Sequence, residues 1–272
     1  MKYLPRIADA ELKMRLNYMG AVLIEGPKWC GKTTTAEQQA RSVIKLQDPD
    51  MRGAYLATAD AKPSNLLKGD TPRLIDEWQD TPILWDAVRT EIDKRGGEVG
   101  QFILTGSNSV NEEQINHSGT GRISRMKMYP MSLFESGESS GEISLLELFD
   151  NPNMDIDGIM SNAGINDLIR YACRGGWPAS LRLRNSSDSY KVAKDYLEGV
   201  VESDITKVDK VRRDPKLAMA IIKSYSRNLC TLAKKVNLLK DVRAMNEGCV
   251  DKTFDDYVKA LSRLFVIQDM PA

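Results

Sequence analysis

The chain has 272 residues, of which 42% are hydrophobic and 28% are charged. This balance excludes an intrinsically disordered chain, and the length suits one large domain with a smaller one. Lys and Arg together number 38, as do Asp and Glu, so the overall charge gives no indication of a nucleic-acid or membrane partner.

Cysteine and histidine usage argues against a structural zinc site, because the four cysteines are far apart and His117 is the single histidine. The first residues, M-K-Y-L-P-R, lack the apolar core of a signal peptide. No apolar run approaches the roughly 20 residues that span a bilayer. We therefore expect a cytoplasmic protein with reduced thiols and no membrane partner. Because the sequence stops within an apolar segment, F-V-I-Q-D-M-P-A, we also expect a piece of a longer protein.

Strands and helices alternate through the first half of the chain. An amphipathic helix is predicted over 9–18. Strands are predicted at 21–25, 42–47, 72–76, 101–105 and 122–129, with a helix at 82–95. The alternation predicts an α/β fold in which a parallel sheet has helices on both faces.

The strongest motif follows the first of these strands. Residues 26–33, G-P-K-W-C-G-K-T, match G-x-x-x-x-G-K-[ST] between a predicted strand and a predicted helix, the context that a phosphate-binding P-loop requires. Its glycines let backbone N–H groups face a phosphate, its lysine adds a positive charge, and its threonine supplies a hydroxyl for Mg²⁺. The residues predicted to bind ATP are Gly26, Pro27, Lys28, Trp29, Cys30, Gly31, Lys32, Thr33 and Thr34.

Two residues of this loop leave alternatives open. Cys30 lies near a helix N-terminus and Lys32, which would favour a reactive thiolate, although a tolerated variable position is the simpler interpretation. Trp29 either stacks on a base or packs against neighbouring elements, and we favour packing.

A second motif, L-I-D-E-W-Q, ends the predicted strand at 72–76. Asp76 is placed to hold Mg²⁺, and Glu77 to act as the general base on an attacking water. An acidic pair alone is also common in solvated turns. However, Asp76 lies 44 residues after Lys32, a spacing typical of the P-loop NTPases in which another strand separates the two motif strands.

Two further segments carry candidate catalytic residues. F-I-L-T-G-S-N-S ends a strand in small polar residues, of which Ser107 is the first candidate to reach the γ-phosphate or the water, ahead of Thr105 and Asn108. A polar turn would contain the same residue types. In S-G-T-G-R-I, Arg122 is a candidate arginine finger, with Arg125 as its competitor and an ordinary surface arginine as the alternative.

The composition changes in the second half. Residues 128–169 contain eight acidic residues and no Lys or Arg, which predicts a loose acidic connector. We expect a P-loop NTPase domain at 1–135, the connector at 136–165, and a helical domain at 166–272. Its helices are predicted at 167–173, 189–204, 216–229, 231–239 and 254–266.

These motifs together resemble the bacterial and archaeal AAA-type ATPases related to the STAND group of P-loop NTPases. The resemblance rests on Y-L-P-R-I-A-D-A-E-L, the P-loop, L-I-D-E-W-Q, L-T-G-S, the G-R-I and Y-P-M-S-L-F-E segment, and R-G-G-W-P. It implies a RecA/AAA-like core, ATP and Mg²⁺ as cofactors, and Asp76 and Glu77 as the Walker B pair. It also implies that Arg122 acts on a neighbouring subunit. Arg73 departs from the pattern, since relatives have an apolar residue there.

The end of the chain resembles a winged helix-turn-helix. Residues 205–243 contain eleven Lys or Arg and three Asp, which would suit DNA, whereas Asp255 and Asp256 in the second helix would repel its phosphates. We favour protein packing or self-association over DNA binding.

The sequence thus predicts a slow, Mg²⁺-dependent ATPase whose nucleotide state controls assembly or a partner. A second copy of the chain and DNA are both possible partners. The alternatives are an ATP-regulated DNA-binding protein with little turnover and, less favoured, a P-loop kinase.

Overall fold

The computed structural model describes residues 3–107, 115–183 and 187–270. Its N-terminal half is built on five parallel strands in the order β2-β3-β4-β1-β5. Their bounds are β1 Ala21–Glu25, β2 Ser42–Lys45, β3 Arg73–Asp76, β4 Phe102–Gly106 and β5 Ile123–Lys127. The predicted α/β fold is confirmed, and β4 is the strand that separates the two motif strands.

Helices cover both faces of this sheet because its strands are apolar on both sides. On β1, Val22 and Ile24 face one core while Ala21 and Leu23 face the other, as the two-residue repeat of a strand requires. The helices of this half are α1 Ile7–Leu16, α2 Lys32–Glu37, α3 Arg52–Ala61 and α4 Ile83–Lys94. The carboxyl ends of β1, β3 and β4 therefore share one edge of the sheet.

The second half contains only helices among its described residues. They are α5 Leu145–Asp150, α6 Ile165–Arg174, α7 Asp188–Gly199, α8 Ile205–Lys207, α9 Pro215–Arg227, α10 Lys235–Met245 and α11 Asp251–Arg263. A π-helical turn, Val200–Asp204, joins α7 to α8. Residues from this turn to α11 form a third core, in which Ile221, Phe254 and Leu261 are buried. Helices α10 and α11 overlap the two helices on which the winged-helix resemblance rests, and the winged-helix assignment stays a prediction.

Two contacts join the start of the acidic stretch, residues 128–169, to the end of α6 and the turn that follows it. The Met131 N–H donates to the Gly176 carbonyl at 2.7 Å, and Glu138 forms a buried ion pair with Arg174 at 2.7 Å. The short helix α5 also lies within it. Across the described residues, none of the helices has the length and apolarity needed to cross a membrane.

Candidate nucleotide-binding site

The P-loop runs from β1 to α2 in a conformation that depends on its glycines. A Cβ on Gly26 would lie 2.0 Å from the Met128 carbonyl oxygen, and Gly31 adopts a left-handed φ of 103°. Lys32 is almost fully buried, and its ammonium group donates to the Gly26 and Pro27 carbonyls at 2.9 Å each. Burial lowers the pKa of Lys32. Its positive charge is thus held inside the loop, where a phosphate would replace the two carbonyls.

The donor set for a divalent cation lies beside this lysine. Asp76 Oδ1 accepts hydrogen bonds from Thr33 Oγ1 and Thr105 Oγ1, both at 2.6 Å. A hydroxyl and a carboxylate are oxygen ligands of the kind that Mg²⁺ prefers, and it usually keeps several waters and substrate phosphates as well. The residues present therefore fit a nucleotide-bound Mg²⁺, with Thr33 and Asp76 as its protein ligands.

Glu77 is held next to Asp76 by a strained turn. Its φ of 56° is left-handed, and its N–H donates to Thr105 Oγ1 at 3.2 Å. Glu77 Oε2 accepts from the Ser107 hydroxyl at 3.1 Å and from the Ser107 N–H at 3.3 Å, and the Gln79 side-chain amide also donates to it. The structure therefore brings Ser107 to the carboxylate that was predicted as the general base. Asn108 lies outside the described residues.

A cleft of about 1170 Å³ opens above these residues, between the sheet edge and the helical half. Cationic side chains dominate its described lining, with seven basic residues against Glu77 and Asp80. The basic residues are Lys28, Lys32, Arg52, Arg182, Lys207, Lys210 and Arg263. A cleft with this charge suits a polyanion such as a nucleotide triphosphate.

Sequence analysis missed the four cleft cations that come from the second half. Lys207 and Lys210 belong to the basic segment at 205–243, whose charge was considered only for DNA. Arg263 is the last residue of α11, and Arg182 follows the R-G-G-W-P turn. The excess of basic residues was the available signal, but nothing local in the sequence indicated which surface they face.

Two P-loop side chains connect the halves. Lys28 forms an ion pair with Asp204, at the end of the π-helical turn, with 2.7 Å between the nitrogen and the oxygen. The Trp29 ring lies 6.3 Å from the ring of Tyr196, which in turn lies 4.3 Å from Trp177. Burial raises the pKa of Tyr196. The P-loop is therefore in direct contact with the helical half.

A buried arginine near the N-terminus forms hydrogen bonds to the P-loop and to the segment after β5. Arg6 Nη1 donates to the Cys30 carbonyl at 2.7 Å, and Arg6 Nη2 donates to the Tyr129 carbonyl at 2.8 Å. Its Nε is 3.0 Å from Glu135 Oε1, and both side chains are less than a tenth exposed. Arg6 was quoted only as part of the Y-L-P-R resemblance, since its contacts span 24 to 129 residues and leave no local pattern.

Cys30 is fully buried, with its Sγ 3.6 Å from the Met128 carbonyl oxygen. Burial raises the pKa of its thiol, and this outweighs the nearby charge of Lys32. The structure therefore favours the simpler of the two interpretations of Cys30, because a buried thiol of raised pKa is poorly reactive.

The structure places Arg122 away from this site. Its carbonyl accepts the N–H of Ala21, so it lies at the amino end of the sheet, one strand length of about 13–16 Å from the P-loop edge. Its guanidinium is half exposed and 2.9 Å from Asp93. Arg125 stacks over the Trp85 ring, 5.3 Å from its centre. Neither arginine reaches the P-loop of its own chain.

Comparison with known proteins divides the chain at the connector. Residues 19–136 match the family model described as AAA domain, and residues 165–272 match a domain of unknown function (DUF8612). Uncharacterised proteins of Mycobacterium bovis and Mycobacterium tuberculosis are each 25% identical over 205 residues. The alignment covers 75% of this chain but 40% of each relative.

Solved structures with a detectable likeness include the following three. AMPPCP-bound DnaA from Aquifex aeolicus has a TM-score of 0.42 at 13% identity, covering 97% of this chain and 95% of that one. A STAND protein from Pyrococcus horikoshii has a TM-score of 0.38 at 16% identity, covering 96% and 45%. RuvB from Thermotoga maritima has a TM-score of 0.38 at 19% identity, covering 93% and 85%.

Proposed function

We propose that the chain binds ATP with Mg²⁺ in the cationic cleft and hydrolyses it slowly. The observation that carries this proposal is the meeting of three groups at one sheet edge: buried Lys32, the Thr33–Asp76 pair, and Glu77 held by Ser107. These are the groups that phosphoryl transfer to water requires. The match of residues 19–136 to the AAA domain model also supports ATP binding and hydrolysis.

Each residue has a distinct task in this proposal. Lys32 exchanges its two carbonyl acceptors for the β- and γ-phosphate oxygens, while Thr33 and Asp76 hold the metal ion. The metal ion that these two residues would hold would supply positive charge to the phosphates. Glu77 takes the proton of the attacking water, and Ser107 fixes the orientation of its carboxylate.

Nucleotide occupancy is proposed to act as a switch between the two halves. A ligand shifts a conformational equilibrium only through different contacts in the two states. Lys207 and Arg263 of the helical half line the cleft, so the triphosphate attracts this half more strongly than the diphosphate does. The Lys28–Asp204 pair and the Trp29–Tyr196 contact are described contacts through which the P-loop would transmit the change.

Arg122 is proposed to serve the nucleotide of a neighbouring copy. It lies too far from its own P-loop, yet it is half exposed at the amino end of β5. A cation supplied in this way is worth about 10³–10⁵ in rate, so an isolated chain would turn over slowly. Homo-oligomerisation would then raise specific activity.

DNA binding is the less favoured alternative. The basic residues of α10 are partly neutralised within the module, because Lys235 pairs with Asp255 at 2.6 Å and Arg243 pairs with Asp251 at 2.9 Å. Phosphate release from ATP without any other acceptor, measured with and without duplex DNA, separates the functions. Release that does not depend on DNA supports the ATPase switch, whereas DNA binding without release supports the alternative. Dependence on a phosphate acceptor would indicate a kinase.

A further inference from the structure

A glutamine two residues after the proposed general base contacts it directly. Gln79 lies in the 3₁₀ turn Trp78–Asp80, which follows Glu77 at the end of β3. Trp78 is buried, and Asp80 forms an ion pair with Arg52 at 2.8 Å. The turn is therefore held on both sides of Gln79, whose side chain lines the cleft.

The donors that reach the Glu77 carboxylate are concentrated on one of its oxygens. Oε2 receives three of them, from the hydroxyl of Ser107 at 3.1 Å, the N–H of Ser107 at 3.3 Å and the side-chain amide of Gln79. A carboxylate oxygen has about two lone pairs, so Oε2 has no acceptor site left for a water. None of the described residues donates to Oε1. Oε1 is thus the atom of Glu77 that can accept a hydrogen bond from a water in the cleft.

The contact with Glu77 sets the orientation of the Gln79 amide. The Oε1 atom of Gln79 is buried and has no hydrogen-bond partner within the described parts of the chain. An unpaired buried oxygen is unfavourable, so the surroundings of this oxygen do not explain the orientation. Turning the amide over would place its oxygen against the Glu77 carboxylate, where two acceptors repel each other. The hydrogen bond from the Gln79 nitrogen to Glu77 Oε2 therefore fixes the amide.

The end of β4 leaves room for this amide because residue 106 is a glycine. A Cβ on Gly106 would lie 3.1 Å from Gln79 Oε1 and 3.2 Å from Trp78 Nε1. Both distances are shorter than the roughly 3.5–4.0 Å of an optimal van der Waals contact. A side chain at this position would crowd the amide beside Glu77.

We propose that Gln79 is a positioning residue for the general base, and that Oε1 of Glu77 is the atom that takes the proton. The inference rests on the proposed hydrolysis of ATP. The water oxygen bonds to the γ-phosphorus, the bond from that phosphorus to the leaving oxygen of ADP breaks, and one proton of the water passes to Oε1. Gln79 and Ser107 together occupy Oε2 and so hold Oε1 toward the water. Because Gln79 acts through Glu77, losing its N–H should slow the chemical step and leave nucleotide binding intact.

Steady-state phosphate release by the full chain, with ATP and Mg²⁺, tests this role. Gln79→Leu removes the donor at a similar side-chain size, and it should lower kcat by about 10-fold or more with little change in KM. Gln79→Glu keeps the shape of the side chain without the N–H at neutral pH, and it should be at least as slow. Gln268→Leu is the matched control, because it deletes an exposed glutamine hydrogen bond, with Tyr129, and should keep the wild-type kcat.

The Glu77→Gln background shows whether Gln79 acts through Glu77. There, adding Gln79→Leu should slow single-turnover phosphate release by less than about twofold, because the base on which Gln79 acts is already absent. A purely structural role would slow release equally in both backgrounds. Calorimetric titration with ATP and thermal unfolding, applied to every variant, measure binding and folding separately from the chemical step.

The outcomes separate this inference from the function on which it rests. Wild-type kcat in both Gln79 variants, or an equal loss in both backgrounds, overturns the role of Gln79 and leaves ATP hydrolysis standing. A lowered Tm with lost ATP affinity in both variants assigns Gln79 to the fold and likewise overturns it. A wild type that binds ATP with Mg²⁺ but releases no phosphate overturns the hydrolysis itself, and the inference with it.

Discussion

Replacing Arg6 with alanine should destabilise the N-terminal half and weaken ATP binding. The guanidinium of Arg6 holds two carbonyls, those of Cys30 in the P-loop and Tyr129 after β5, at 2.7 and 2.8 Å. It also neutralises Glu135, and both side chains of this pair are less than a tenth exposed. Arg6→Ala would therefore leave the buried Glu135 carboxylate without its cation and the Cys30 carbonyl of the P-loop without its donor.

The size of the effect follows from what Glu135 retains. Removing one partner of a buried ion pair costs about 3–5 kcal/mol. Glu135 would keep hydrogen bonds from the N–H groups of Ile7 at 2.7 Å and Ser132 at 2.8 Å, so we expect the lower end, about 3 kcal/mol. For a chain of this size each kcal/mol lowers Tm by about 2–4 °C, which gives a fall of roughly 6–12 °C.

The pH dependence gives an independent measure. Burial acts to raise the pKa of Glu135, but the hydrogen bonds from Ser132, Ile7 and Arg6 outweigh it and hold the pKa below its ordinary value. Its stabilising contribution is therefore complete above the unfolded-state pKa of about 4.3 and is lost as the pH falls through the lower folded-state pKa. Arg6→Ala should shift this loss of stability to higher pH.

Urea unfolding from pH 3 to pH 7 and calorimetric titration with ATP would measure both effects. Arg6→Lys is the matched control, because it keeps the charge beside Glu135 but cannot hold both carbonyls, and it should fall between the wild type and Arg6→Ala. If Arg6→Ala unfolds within about 1 kcal/mol of the wild type, at every pH and with unchanged ATP affinity, the support that we assign to Arg6 is wrong.

Four further predictions concern the site and the connector. Lys32→Ala should abolish ATP binding in a calorimetric titration, because the P-loop loses its buried ammonium, and unchanged affinity would contradict the P-loop assignment. Glu77→Gln should keep ATP affinity while slowing phosphate release by at least about 10²-fold, whereas wild-type turnover would place the base elsewhere. If Arg122 acts in trans, mixing Arg122→Ala with Lys32→Ala should restore activity that neither variant shows alone, and turnover that does not depend on protein concentration would exclude that role. Limited proteolysis should cut first within 140–162, where the chain is exposed and has few packed neighbours, and a first cut inside the sheet would show that the connector is misplaced.

Sequence alone predicted the sheet and its motifs because those signals are local. The bounds of β1 were correct, since an apolar run between Gly20 and Gly26 leaves little choice. The insertion of β4 between the motif strands followed from the distance between Lys32 and Asp76. Helix starts were less accurate: α10 begins at Lys235 rather than 231, because the preceding residues form a turn.

The rest of the site could not be predicted because it depends on how distant segments pack. The contact of Arg6 with the P-loop, and the approach of Lys207 and Arg263 to the cleft, join residues that are far apart in the chain. Ser107 was chosen for its position after β4, but its hydrogen bond to Glu77 required the strand order. The sequence could not show that Arg122 lies far from its own P-loop, because this follows from the pairing of β5 with β1 in the sheet.

The ion pair between Lys28 and Asp204 has a consequence for how such chains can recombine during evolution. The P-loop and the helical half are matched by separate family models, which would suggest that the two segments can be exchanged independently. Yet Lys28 has its counter-charge in the other segment, and half of the cationic cleft comes with it. A chimera with a foreign helical half would leave Lys28 unpaired and lose four of the seven cleft cations, unless the incoming segment supplied both. Exchange of this half would therefore need an incoming segment that carries matching charges, or compensating changes in the P-loop.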